Sequence, residues 1–360
     1  MGDGERATAR LPMGKASRAF LEKVVFENLG ARRSSVLVGP GHGRDNAVIS
    51  LPGKRKVMVV TADPLSIIPS LGMERSAWLT AHLLASDLAT SGVAPQFAVL
   101  DFNLPPKLGT EDFRSYLKAL GREFERMGVA IVGGHTGSYP GCDYTIAGGG
   151  MMFSFADESG YVTPSMAKAG DVLLMTKGAA IATTAVLAWA FPNRVSEETG
   201  AGILARAKGY LRECSTVREA LEVSSLGLRD RVTSMHDATE GGVLGGAYEL
   251  ASACGRAVTV DTDSIHVSRE TREVCALFGL DPLVSLSEGT LLITCRPDAV
   301  GEVVATLRRS RVACFAIGRV GESGEGLRIS SKGGRPKPFV PPEGDRYWEE
   351  YAAAARRGWG

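Results

Sequence analysis

Four acids in this chain stand where a carboxylate can meet a ligand. Asp45 follows the glycine loop GPGHG (39–43), and Asp63 closes a strand-like run in TADPLS. Asp87 interrupts an apolar helical run among Leu83, Leu84, Leu88 and Ala89, and Asp237 opens the stretch HDATEGGVLGGAYELASACG, 236–255. Carboxylates at strand and helix ends suit Mg2+, a hard cation that keeps positions open for phosphate and water. Glycine turns beside them let backbone N–H groups approach a polyphosphate.

Each acid also has a purely structural reading. Asp63 with Pro64 and Ser66 forms an Asx-turn that ends its strand, because Pro64 cannot continue the ladder. Asp87 at the edge of an apolar face must be paired, bound to metal or reach water. Asp237 and Glu240 are spaced as a capping box at a helix start. That leaves Gly241, Gly242, Gly245 and Gly246 unexplained, since each costs about 1 kcal/mol against alanine inside a helix. Close approach of a ligand or another backbone would offset that cost. GPGHGRDNAVI lacks the Gly-Lys-Ser/Thr of a Walker loop and the strand–loop–helix order of a dinucleotide fingerprint, so taken alone it reads as a surface turn. VGGHTGSYPG (132–141) follows a strand, and His135 there is a turn residue or a ligand.

The elements that must position these residues alternate between strand and helix. KVMVVTA (56–62), FAVLDF (97–102), VAIVGG (129–134) and YTIAGGGMMFSFA (144–156) read as strands. Helices are expected over 74–92 and from a Thr110 cap to Met127, with Glu111 and Asp112 favouring its first turn. The second half opens with DVLLMTKG (171–178). Helices follow near 180–191, 200–213 and 216–230, then the helix begun by DATEGG, AVTVD, a helix near 268–278, TLLITC, a helix 298–309 and VACFAIG. The pattern implies an α+β or α/β fold, not a pure parallel barrel. The turn-rich VTPSMAKAGD suggests a hinge, dividing the chain into 1–167, 168–335 and a Pro-rich linker with a terminal helix, 336–360, whose end is free.

Size and composition bound the rest. At 360 residues the chain exceeds what one core comfortably organises. The 41 basic and 40 acidic residues nearly cancel, and the runs Arg32-Arg33, Lys54-Arg55-Lys56 and Arg308-Arg309 are short corners, so no nucleic acid partner is expected. Six scattered cysteines without a C-x-x-C pair argue against zinc and disulfides and fit a reducing cytosol. The N-terminus shows no apolar leader, and no run is long enough for a membrane helix, so a cytoplasmic protein is expected.

The order of the motifs carries more than any one of them. GPG-x-G-x-DNAVI, T-x-DP, SDLATSGVAP, GGHT, DATEGG and LDPL-x4-EGTLLI follow one another over about residues 12–320. The chain thereby resembles the superfamily of AIR synthase (PurM), selenophosphate synthetase, thiamine-phosphate kinase and the hydrogenase-maturation protein HypE, with HypE and its archaeal relatives nearest. The resemblance implies two α/β domains, a homodimer whose N-terminal sheets combine into a barrel, and ATP with Mg2+ in a cleft of the N-terminal domain. By position it makes Asp45, Asp63 and Asp87 the metal ligands and Asp45, Asp87, His135 and Asp237 the catalytic set. Gly39, Gly41, Gly43, Asp45, Gly133, Gly134 and Thr136 would contact the nucleotide.

Relatives use ATP to phosphorylate an amide-type or related oxygen, which then leaves. Four departures stand out: His135 replaces an acid, Ser86 and Glu240 stand where Asn and Arg are common, and no cysteine follows Cys314, where HypE ends in a cysteine-bearing tail. The sequence therefore reads as a Mg2+-dependent ATP-using enzyme acting on a small-molecule or protein-borne acceptor. A small-molecule kinase and a nucleotide-binding regulator with little turnover are the alternatives.

Overall fold

The computed structural model describes residues 13–359 apart from 54, 323 and 332. The expected lack of a leader peptide therefore falls largely on residues outside the described ones, as does Lys54 of the basic corner. Two mixed sheets organise the chain. The first contains β1 (Val36–Val38), β2 (Ala47–Ser50), β3 (Lys56–Ser66), β4 (Phe97–Leu104), β5 (Ala130–Ser138) and β6 (Ile146–Asp157), in the order β1-β2-β3-β6-β4-β5. Its one parallel pair, β4 with β5, is joined through the helix Thr110–Met127. The second contains β7 (Val172–Thr176), β8 (Val232–Ala238), β9 (Ala257–Asp261), β10 (Thr290–Cys295), β11 (Cys314–Val320), β12 (Gly326–Ser330) and β13 (Lys337–Phe339), in the order β13-β12-β9-β11-β7-β10-β8.

Residue patterning explains why these sheets form. The helix Thr110–Met127 buries Tyr116, Ala119, Leu120 and Phe124, a stripe at helical spacing that lands on the first sheet. In the second sheet, Leu173 and Met175 of β7 enter one core while Val172 and Leu174 enter another on the opposite face. With both faces covered, β7, β8 and β10 are buried at every position, which is why β7 and β10 read as near-continuous apolar runs. A further core, with Trp78 and Leu79 against Ile181, Ala185 and Leu211, ties the two halves together. Among the described residues no helix is long and apolar enough to cross a membrane.

Several local expectations are corrected. β3 runs through Pro64 to Ser66, with Asp63 opposite Gly150 and Pro64 opposite Gly149 of β6. β2 covers β3 only from Val57 to Val60, so beyond that point one side is an edge, which accommodates proline. Thr110 is the first helical residue, not a cap; Gly109 precedes it and no side chain caps that end. A helix over Pro192–Thr199 fills what read as a connection. The terminal helix Arg346–Arg356 is docked: Tyr347 and Ala354 are buried and Trp359 packs edge-on against Phe278 at 5.6 Å. Aromatic side chains at its apolar face outweigh the mobility expected of a chain end.

His82, on the helix Met73–Ala89, marks the junction of the halves. Its ring stacks on Trp78 at 4.1 Å, and Nδ1 lies 2.9 Å from Ser215 Oγ of the second half. Burial is the main cause that lowers its pKa, to about 4, with Arg212 and Lys177 adding to the shift and Glu123 opposing it. A lowered pKa means the unfolded chain binds the proton first, so this contribution is complete above about pH 6.5 and is lost as the pH falls towards 4. We expect chemical denaturation to show up to roughly 3 kcal/mol lost across that window. His82→Gln should flatten that part of the profile, and an identical profile in the variant would refute the assignment.

Candidate functional site

The four acids singled out in the sequence line one cleft of about 770 Å³ between the halves. Asp63 comes from β3, Asp87 from the last turn of the helix Met73–Ala89, Asp45 from the glycine loop before β2, and Asp237 from β8. Gly41 and Gly43 line the same cleft, with Gly39 just behind them holding Arg44 Nη1 on its carbonyl at 3.1 Å. His135 lies elsewhere. It sits on the exposed strand β5, its Nε2 2.7 Å from Tyr139 Oη, and shares that strand with Gly133, Gly134 and Thr136. Those four residues do not line the cleft of their own chain.

The capping-box reading of Asp237 and Glu240 is corrected. His236 and Asp237 belong to β8, and the helix begins only at Gly242, after Gly241 and without a side-chain cap. Glu240 instead accepts the backbone N–H of Lys15 at 2.6 Å. Gly242 has φ +67, and a Cβ there would stand 2.7 Å from the carbonyl oxygen of Leu283. Its bareness therefore serves the chain's own 283–285 backbone.

A buried cation organises the site. His236 Nδ1 meets both carboxylate oxygens of Asp45, at 2.8 and 2.9 Å, and Nε2 meets Glu249 Oε2 at 3.0 Å. Burial opposes its charge, but Asp45 and Glu249 on either side outweigh it and raise the pKa to about 10. Burial likewise opposes ionisation of Glu249, yet Lys15 and His236 hold it well below the usual carboxylate range. Lys15 Nζ lies 2.6 Å from Glu249 Oε1. Gly43, φ +71, is pressed against the same helix, where a Cβ would come within 2.3 Å of the Glu249 carbonyl oxygen. Asp45 thus reaches the cleft on a loop fastened to the second half.

The remaining acids are held by hydroxyls and amides or by nothing. Thr61 Oγ1 donates to Asp87 Oδ2 at 3.1 Å and lies 2.8 Å from the Asp45 carbonyl, while Asn46 Nδ2 donates to the Asp87 carbonyl. Asp237 Oδ1 is buried without a hydrogen-bond partner. Glu288 makes no hydrogen bond or ion pair among the described residues. Burial, then the neighbouring acids, pushes Asp87 and Glu288 well up. Asp237 rises to about 7 and Asp63 to about 6, burial being the largest cause for both. Asp45, His236 and Asp237 bring potential ligand atoms within 4.8 Å of one another. Both His236 nitrogens are already committed to carboxylates, so the histidine acts as a fixed cation and the oxygens are left for a metal.

Sequence reasoning gave no role to Lys15, His236, Glu249 or Glu288. His236 and Glu249 stood inside the quoted stretch 236–255 and Glu288 inside the phrase EGTLLI, which was the available signal; Lys15 had none.

Comparison with known proteins agrees with this architecture. Residues 43–152 match the N-terminal domain of AIR synthase related proteins and residues 168–329 the C-terminal domain. The carbamoyl dehydratase HypE of Escherichia coli is 28% identical over 68% of this chain and 70% of its own length. The selenide, water dikinase of Methanocaldococcus jannaschii is 26% identical over 69% of this chain and 72% of its own length. A protein of the same archaeon, provisionally named for hydrogenase expression and formation, is 23% identical over 89% and 92%. Among solved structures, HypE in a complex with HypF superposes with a TM-score of 0.70 at 18% identity, covering 90% of this chain and all of that one. The kinase AaThiL, solved with AMPPCP and TMP, reaches 0.68 at 17% identity, covering 90% and 99%.

Removing one member of a buried ion pair strands the other, at a cost of about 3–5 kcal/mol. Glu249→Gln, which leaves His236 and Lys15 without their shared anion, should therefore lower unfolding free energy by that amount in urea titrations. A loss below about 1 kcal/mol would show that the pair does not fasten the loop.

Proposed function

The chain belongs to the AIR synthase related family, and on that premise we propose that it is a Mg2+-dependent, ATP-using enzyme that phosphorylates an amide-like or related oxygen of an acceptor. The observation that carries this reading is the convergence of Asp45, Asp63, Asp87 and Asp237 on one cleft, with Asp237 Oδ1 buried and unpartnered. Among the described residues seven carboxylates line that cleft against Lys15, Arg44 and the charged His236. Such an excess of anions cannot accept a polyphosphate unaided; burial first, and neighbouring acids second, raise the pKa values of Asp63, Asp87 and Asp237, a cost that a bound cation would offset. The donor set is all oxygen, which fits Mg2+.

Asp45, Asp63 and Asp87, with Asp237 beside them, would hold the metal, whose charge supplies the neutralisation that phosphoryl transfer requires. The chain's own residues do the positioning. His236 fixes both oxygens of Asp45, Thr61 orients Asp87, and the Gly41–Gly43 loop lays main chain along the cleft. Lys15 reaches the same space from the N-terminal segment and offers a positive charge to phosphate. A solved HypE carries ATP on this fold, which supports the nucleotide reading. We take 1–167 as the nucleotide and dimerisation domain, 168–335 as the second domain and 336–360 as an appended segment; the two sheets fall on either side of 167, and β13 carries the second sheet past 335.

None of the six cysteines lines the cleft. Burial pushes the Cys275, Cys295 and Cys314 thiols up to about 12. These protonated thiols are poor carriers of a group awaiting dehydration, which favours an acceptor that is a diffusible molecule or belongs to another protein. Release of free phosphate would identify dehydration, and accumulation of a phosphorylated product would identify a kinase.

The homodimer expected of the family, with its N-terminal sheets joined into a barrel, has a surface to form on. β5 is an uncovered edge with Ile131 and Val132 48% and 53% exposed, and Met151 and Phe155 of β6 are also exposed. His135 lies on that surface, so a dimer through β5 would place it at the interface rather than in the chain's own cleft.

Asp63→Asn and Asp87→Asn should each weaken Mg2+-dependent ATP binding at least about tenfold in calorimetry, a loss of about 1.4 kcal/mol, while the fold persists. Unchanged affinity in both would show that the metal lies elsewhere. In sedimentation the wild type should run as a dimer at micromolar concentration and Val132→Asp as a monomer; a wild-type monomer would overturn the dimer.

A further inference from the structure

A second, smaller cavity of about 160 Å³ adjoins the carboxylate cleft. The two share Asp63, Pro64, Ile146, Glu240, Glu288 and Trp348 as lining, so they are two parts of one space. Their characters differ. The glycine loop, Lys15 and His236 face only the larger part. The smaller part is walled by Leu79 and Leu83 of the helix Met73–Ala89, Val186 of the helix Ile181–Ala190, and three rings of the terminal helix, Tyr347, Trp348 and Tyr351.

Among the described residues three carboxylates, Asp63, Glu240 and Glu288, border this small cavity, and no lysine, arginine or histidine does. Asp63 and Glu288 make no hydrogen bond or ion pair among the described residues, and only Glu240 is engaged, by the Lys15 backbone N–H. A phosphate or carboxylate group is excluded by charge. A hydrated divalent metal gains nothing from the rings and leucines, since it takes oxygen ligands. An organic cation uses every wall: its charge lies between carboxylates and ring faces, and its carbon body covers the aliphatic side chains.

We propose that this cavity is the acceptor subsite and that it selects a compact organic cation, an amine or quaternary ammonium on an apolar body. The assignment rests on reading the larger cleft as the nucleotide site, because an acceptor held here points its far end across Asp63 and Glu288 towards that cleft. The terminal helix, which supplies the three rings, is then a specificity element.

The test is calorimetry on the full chain with benzylamine, benzyltrimethylammonium and neutral benzyl alcohol, each with and without Mg2+ and a non-hydrolysable ATP analogue. Both cations should bind at least tenfold more tightly than the alcohol, and Glu288→Gln and Tyr351→Leu should each weaken benzyltrimethylammonium at least fivefold. Tyr351, half-buried with its hydroxyl 3.4 Å from Ser70 Oγ, gives a second variant should Glu288→Gln fail to fold. Equal binding of alcohol and cations, or unaltered cation binding in the folded variants, overturns the proposal. So does cation binding that weakens in proportion as Mg2+ rises, which would place the probe on the metal ligands. The analogue's own affinity is measured separately. If it does not bind, the nucleotide reading fails, while the cation preference stands or falls on the nucleotide-free titrations.

Discussion

The charged His236 between Asp45 and Glu249 is the constraint on which the site depends. Burial by itself drives the proton off an imidazole, and the two carboxylates together outweigh it. With one on each nitrogen, the cation is stable, and so is the geometry it imposes. Asp45 belongs to a loop of the first half, His236 and Glu249 to a strand and a helix of the second. The ion triad therefore does for the loop what the apolar core around Trp78 and Ile181 does for the bodies of the two halves. Gly43 completes the fastening, because only a residue without a side chain lets the loop lie against the helix backbone.

Once this triad is formed, the other acids of the cleft have no comparable partner. Asp63, Asp87, Asp237 and Glu288 crowd together, and burial first, with neighbouring acids adding to it, makes each of them harder to ionise. A protein that retains such an arrangement spends stability on it, and the compensation comes from what binds. The glycine loop and oxygen donors on one side suit metal and phosphate. The rings and aliphatic side chains on the other suit a different kind of group, so a single cleft has two chemical ends.

Much of the architecture was legible along the chain. Strands such as AVTVD and TLLITC were found at their observed limits because uninterrupted β-branched and aliphatic runs bounded by polar turns have little alternative. The helix Thr110–Met127 was equally plain, its apolar stripe repeating at helical spacing. HDATEGG misled for a physical reason. An acid followed three residues later by another is a local signature of a helix start, and only the pairing of β8 with β10, residues far apart in sequence, draws His236 and Asp237 into a strand. Pro64 misled similarly, since whether a proline breaks a ladder depends on whether another strand lies on its side.

The sequence by itself determined the alternation of elements, the family and the small set of acids and glycine turns from which a metal and phosphate site could be built. These are properties of local spacing and of motif order, and both survive without knowing what touches what. Tertiary structure decided which acids are paired and which are left over. His236 and Asp45 are 191 residues apart, and Lys15 and Glu249 still further, so no periodicity connects them. The same holds for the rings of the terminal helix beside Glu288. Burial and long-range charge pairing set the chemistry of each carboxylate, and both exist only once the chain has folded.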